Sequence, residues 1–151
     1  MKILTGPQKQ AVEHVIYEMG RLKECYERWS RLRPRPNGQT EANDLIELTL
    51  MHARTVLDFF EASRVQTKIR AIKARKDDVV SEDFGWPSSE IPIDRKIKAR
   101  IDKEVAHLSY ARCGLTPEQK KWNFHAFVPV LLEHSLKFLG HLSKNYPETL
   151  G

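Results

Sequence analysis

Arg100 and His107 stand seven residues apart in the stretch Asp94–Arg112, DRKIKARIDKEVAHLSYAR. Ile97, Ile101, Val105 and Leu108 recur there at four, four and three residues, the apolar stripe of an α-helix. At about 3.6 residues per turn, a separation of seven closes to within about 20° of two turns. The guanidinium and the imidazole are therefore expected on one face, about 10 Å apart along the axis. A permanent cation beside a group that titrates near neutrality suits attack on a phosphodiester, one clamping oxygens and the other moving a proton. Lys96 and Lys103 lie near the same face. The competing expectation is a solvated helix flank in which Arg100 pairs with Asp102, Glu104 or another carboxylate and His107 packs against a neighbour.

The elements that would position these groups read as helices throughout. Val12, Val15, Ile16, Met19, Leu22, Tyr26 and Trp29 keep a spacing of three or four, predicting a helix over 7–32 that is capped by Thr5 or Gly6 and has Pro7 in its first turn. Pro34, Pro36, Asn37 and Gly38 end it. A second helix is expected over 41–64 with Thr40 as its cap. It is apolar nearly all round, from Leu45 to Phe60, and so must be central or shared with a second subunit. The third helix is expected over 94–112, opened by Asp94. The fourth is expected over 117–142, with Thr116–Gln119 as a capping box, a kink near His125–Val128 caused by Pro129, and a tail that frays after Ser143.

Between the second and third helices, 65–76 carries Lys68, Arg70, Lys73, Arg75 and Lys76 with no acid. It is expected to extend the second helix or to form a mobile basic segment, either a solvated charge run or, as the functional reading, an arm that meets phosphates. Residues 77–93 lack a helical period. Their Val79, Val80, Phe84 and Trp86 predict an ordered loop packed back on the core. The whole is expected to be one domain over 1–151: an all-α, four-helix, up-and-down bundle with a long ordered loop between helices 2 and 3.

Composition narrows the function classes. The chain has 151 residues, 40% hydrophobic and 30% charged, with a net charge of +5, which favours anionic partners such as RNA. No apolar run reaches the roughly 18 residues of a membrane span, and MKILTGPQKQ is too short in apolar residues for a signal peptide, so no membrane is expected and the location is expected to be cytoplasmic. Cys25 and Cys113 are expected to be reduced packing residues. The glycine-rich phosphate loop, G-x-S-x-G and HExxH patterns are missing from the sequence. Glu104 and His107 make one Glu-x-x-His, where a di-metal bundle needs two. His52, His134 and His141 could combine in a three-histidine site, but core or surface roles are the stronger expectation, and no metal or cofactor is assigned.

Arg100, six residues, then His107 on the third helix resembles the motif of HEPN domains, helical bundles of prokaryotic toxin–antitoxin, abortive-infection and RNA-processing systems. The preceding segment, His52 to Phe60, is similar to the helix before that motif. The resemblance implies a homodimer that cleaves RNA without metal. His107 would act as general base or acid and Arg100 would stabilise the phosphate oxygens. Family members usually place Asn or Asp directly after the arginine. Here Ile101 holds that position and Asp102, one further on, is the third site candidate. An antitoxin or another protein partner is implied as well. The alternative is a non-catalytic dimeric helical module that binds a protein or RNA.

Overall fold

The computed structural model describes residues 2–33, 36, 38–65, 72–106 and 121–150. Four α-helices lie among the described residues: α1 (Gly6–Arg31), α2 (Gln39–Glu61), α3 (Arg95–Ala106) and α4 (Val128–Asn145). No strand is found among them, only an isolated parallel bridge between Ser63 and Lys73. The protein is an all-α four-helix bundle. α2 packs against α1, α3 and α4, and α1 also meets α4.

The start of α1 follows directly from its sequence. Thr5 accepts the Gln8 N–H on its hydroxyl, while Gln8 Oε1 accepts the Thr5 N–H at 2.9 Å. Two otherwise orphaned backbone donors are thus satisfied. Val12, Val15, Met19, Leu22 and Cys25 form the buried face. Cys25 is a free thiol whose pKa is raised by burial, as expected of a packing residue. Cys113 lies outside the described residues.

α2 departs from expectation at both ends. Gly38 is its N-cap and Thr40 sits inside the first turn. Its last residue is Glu61, three short of 64, because the chain turns extended at Ala62. The Ser63 N–H then donates to Ile72 O at 3.2 Å, and the Ala74 N–H to Ser63 O at 2.8 Å. A helix running on through 62–65 or 72–76 is therefore corrected to a loop closed at its base.

A carboxylate nineteen positions further on holds that base together. Glu82 Oε1 accepts from the Ser63 and Ser88 hydroxyls, both at 2.7 Å, and Oε2 accepts from the Arg64 N–H at 2.9 Å. Arg64 adds a fork onto Asp83 at 3.1 and 2.8 Å and donates to the carbonyls of Arg75 and Asp78. The loop over 77–93 packs back on the core, burying Val80, Phe84, Ile91 and Ile93 and partly burying Trp86, but Val79, expected to be covered, stays exposed. Gly85, at φ 71°, ends a 3₁₀ turn over Ser81–Phe84 in the left-handed region that glycine enters without strain. This loop also explains where the all-round apolar surface of α2 goes. The Ser89 N–H reaches Phe60 O at 3.1 Å and the Ile91 N–H reaches Glu61 at 2.9 Å, so the loop adds cover that the other helices do not supply. Met51 remains well exposed.

The fourth helix also begins later than the sequence suggests. Thr116–Gln119 lies outside the described residues. Phe124–Ala126 is a 3₁₀ turn, and α4 starts at Val128 with Pro129 in its first turn. There the missing proline N–H costs no helical hydrogen bond, so the expected kink is a helix start instead. The expected fraying after Ser143 is not found. α4 runs to Asn145, and the buried Tyr146 directs its hydroxyl to Phe84 O at 3.3 Å. At the centre, Phe138 places its ring 5.1 Å from Phe59, 5.8 Å from Phe60, 6.1 Å from Phe84 and 6.0 Å from Trp86.

Candidate functional site

Asp94 opens α3 as expected, its Oδ1 accepting the Lys96 N–H at 2.7 Å. Ile101 is fully buried and Ile97 partly so. Arg100, beside that stripe, is firmly held. Its Nε donates to Glu104 at 2.8 Å and its Nη1 to Lys121 O at 2.7 Å, while the guanidinium carbon lies 3.8 Å from the centre of the Trp122 ring. A stacked guanidinium that donates to two separate acceptors ties α3 to the segment that leads into α4.

His107 lies outside the described residues, as do Lys68 and Arg70. Asp102 is directed elsewhere than Arg100, toward Arg54 of α2 at 3.7 Å. The structure thus gives these two candidates different neighbours. Lys96 and Lys103 on α3, and Lys73, Arg75 and Lys76 in the loop after α2, are exposed.

Arg54 also stands 3.9 Å from Asp58. Partial burial, with repulsion from Asp102, Glu61 and Asp78, raises the Asp58 pKa from 3.8 to about 6 against the pull of Arg54. Because the native state binds this proton more tightly than the unfolded chain, stability falls as pH rises from about 4 to about 6 and stays lower above that. The shift in full would be worth about 3 kcal/mol. With the side chain 48% exposed, screening reduces this to about 1 kcal/mol. Asp58→Asn is therefore expected to stabilise the protein by about 1 kcal/mol near neutral pH and by almost nothing below about pH 4. Urea unfolding at the two pH values checks this, and an equal effect at both would refute it.

The histidines have separate surroundings. His52 Nδ1 is 2.6 Å from Glu18 Oε2. His141 uses both ring nitrogens, on Phe84 O at 2.8 Å and the Asn145 side chain at 3.1 Å. His134 is packed against Phe60 and Trp86, and burial lowers its pKa. Among the described residues, no three His, Cys, Asp or Glu side chains converge as metal ligands.

The structure assembles a group that periodicity had assigned to core packing. At the end of α1, Tyr26 Oη meets His125 Nδ1 at 2.6 Å. Trp29 lies 5.1 Å from the His125 ring and 4.8 Å from Phe124. Trp122 stacks on Phe124 at 6.2 Å and 11°, with Arg100 on its ring. Phe124 is buried, Tyr26, Trp29 and Trp122 are partly exposed, and His125 is exposed. Arg28 and Arg31 stand in the last turn of α1, paired only loosely with Glu24 and Glu27 at 3.7 and 3.6 Å, and Arg33 is exposed just beyond. The signal was present in W-x-F-H at 122–125, adjacent to a proline-led helix, and in the aromatic pair three apart at 26 and 29.

Fold and side chains together define a helical bundle with an aromatic and basic face at the end of its first helix. Comparisons with protein-family models, with curated proteins and with solved structures give no match. No helix among the described residues is long and apolar enough to cross a membrane.

Proposed function

We propose that the protein is an RNA-binding helical module of HEPN-like kind, and that the aromatic and basic end of α1, with 121–125, is its binding face. The observation that carries this reading is the contiguous group Tyr26, Trp29, Trp122 and His125 beside Arg28, Arg31 and Arg33. Partly exposed rings offer platforms for unstacked bases, and arginines at their edge meet phosphates. The net charge of +5 agrees in sign. A cytoplasmic setting belongs to the same proposal.

The second reading is a metal-independent endoribonuclease acting through Arg100 and His107 in a homodimer, with an antitoxin or other protein as partner. It draws support from Arg100 lying on Trp122 at the edge of the same face. The engagement of Arg100 with Glu104 and Lys121 O favours a structural role for that residue, and so the non-catalytic module.

One experiment separates them. Labelled single-stranded RNA is incubated in EDTA with the wild type, with His107→Ala, and with the double variant Arg31→Glu, Arg33→Glu. The module predicts intact RNA, salt-dependent retention, and affinity about tenfold weaker for the double variant. No retention at low salt, or equal affinity of the double variant, overturns it. Cleavage by the wild type that His107→Ala abolishes, together with a light-scattering mass of two chains, establishes the nuclease instead.

A further inference from the structure

We propose that the groove between α1 and α2 is a binding site for a small amphiphilic amine, with a compact apolar body and one protonated nitrogen. The groove holds about 360 Å³. That is more than twice the cavity of roughly 150 Å³ that suffices for benzene in an engineered core, and it falls in the usual range of small-ligand sites. Ala11, Val15 and Met19 line it from α1, Val56 and Phe59 from α2, and Val79 from the loop. None of the residues of the aromatic and basic face takes part, so the site stands independently of the RNA-binding proposal.

The polar part of the lining sets the ligand's charge. Glu18 lies in the wall, and His52, 4% exposed behind it, fixes its Oε2 at 2.6 Å. Oε1 has no hydrogen-bond partner among the described residues. A carboxylate oriented by a buried imidazole, with one oxygen left for a donor, recognises an ammonium and repels an anion. An apolar wall beside it gives that contact a lower dielectric than open water provides. Thr55 and His14 complete the lining as polar groups.

The probes are 1-naphthylmethylamine, 1-naphthalenemethanol and 1-naphthoate, titrated into the full chain at about pH 8, where the amine probe is protonated and naphthoate is ionised. Binding is read by naphthyl fluorescence and by thermal shift. The amine is expected to bind one to one, about tenfold more tightly than either analogue, and Glu18→Gln is expected to remove that preference. Thr55→Trp, at an exposed position in the lining, is expected to fill the groove while keeping both members of the Glu18–His52 pair, and so to abolish binding of the amine. The proposal is overturned if the amine shows no saturable binding, if naphthoate binds as well as the amine, or if Thr55→Trp binds the amine unchanged.

Discussion

Replacing Lys98 with alanine is expected to lower the unfolding free energy by about 3–5 kcal/mol. Lys98 Nζ lies 2.6 Å from Glu61 Oε2, and the two side chains are 15% and 11% exposed. The same oxygen accepts the Ile91 N–H at 2.9 Å. One carboxylate therefore joins the last residue of α2, the end of the loop and the first turn of α3. Without the ammonium, the Glu61 carboxylate is left in a poorly hydrated place with a single amide for company. The desolvation of that charge, rather than the lost attraction, makes up most of the cost. It follows that Lys98→Met combined with Glu61→Gln should be much milder, about 1–2 kcal/mol, since no charge is left stranded. Urea unfolding of the single and double variants checks both statements. A single variant no less stable than the double would refute the account.

Phe138→Ala is expected to cost about 3–5 kcal/mol by a different mechanism. Its ring is fully buried and borders four aromatic rings from outside α4, those of Phe59, Phe60, Phe84 and Trp86. Those rings belong to α2 and the loop, so α4 cannot shift to close the void without also breaking His141 and Tyr146 from Phe84 O. The cavity should persist, and its cost adds to the lost transfer energy of the ring. Phe138→Leu retains most of the volume and should cost markedly less. Calorimetric unfolding distinguishes the two, and equal losses would show that the surroundings collapse freely.

The parts of this architecture that were legible in the sequence are those whose causes are local. Thr5 and Gln8 are three residues apart, and their reciprocal bonds follow from identity and spacing alone. The buried stripe of α1 and the cap at Asp94 are of the same kind. The end of α2 departs from the sequence reading because its cause is distant: Glu82 and the backbone of Ile72 and Ala74 hold the chain at Ser63, and nothing near Arg64 announces them. Pro129 was legible as a disturbance, but a proline within an apolar period does not say whether the helix bends or begins there. The face around Trp29 and Trp122 was hidden for another reason. Large aromatic residues at helical spacing read as core, and only the partial exposure of three of the rings sets them apart. Arg100 stands out by type and spacing, yet its engagement with Lys121 O joins groups twenty-one positions apart and leaves no trace in spacing.

The fastening of α2 by residues that follow it also sets an order of events during synthesis. Phe60 O and Glu61 receive their partners from Ser89, Ile91 and Lys98, all of which leave the ribosome after α2 is complete. At roughly 5–20 residues per second, several seconds separate the emergence of that helix from the arrival of its last wall. For that interval the nascent chain carries an uncovered apolar strip, and that is when it is most exposed to misassociation.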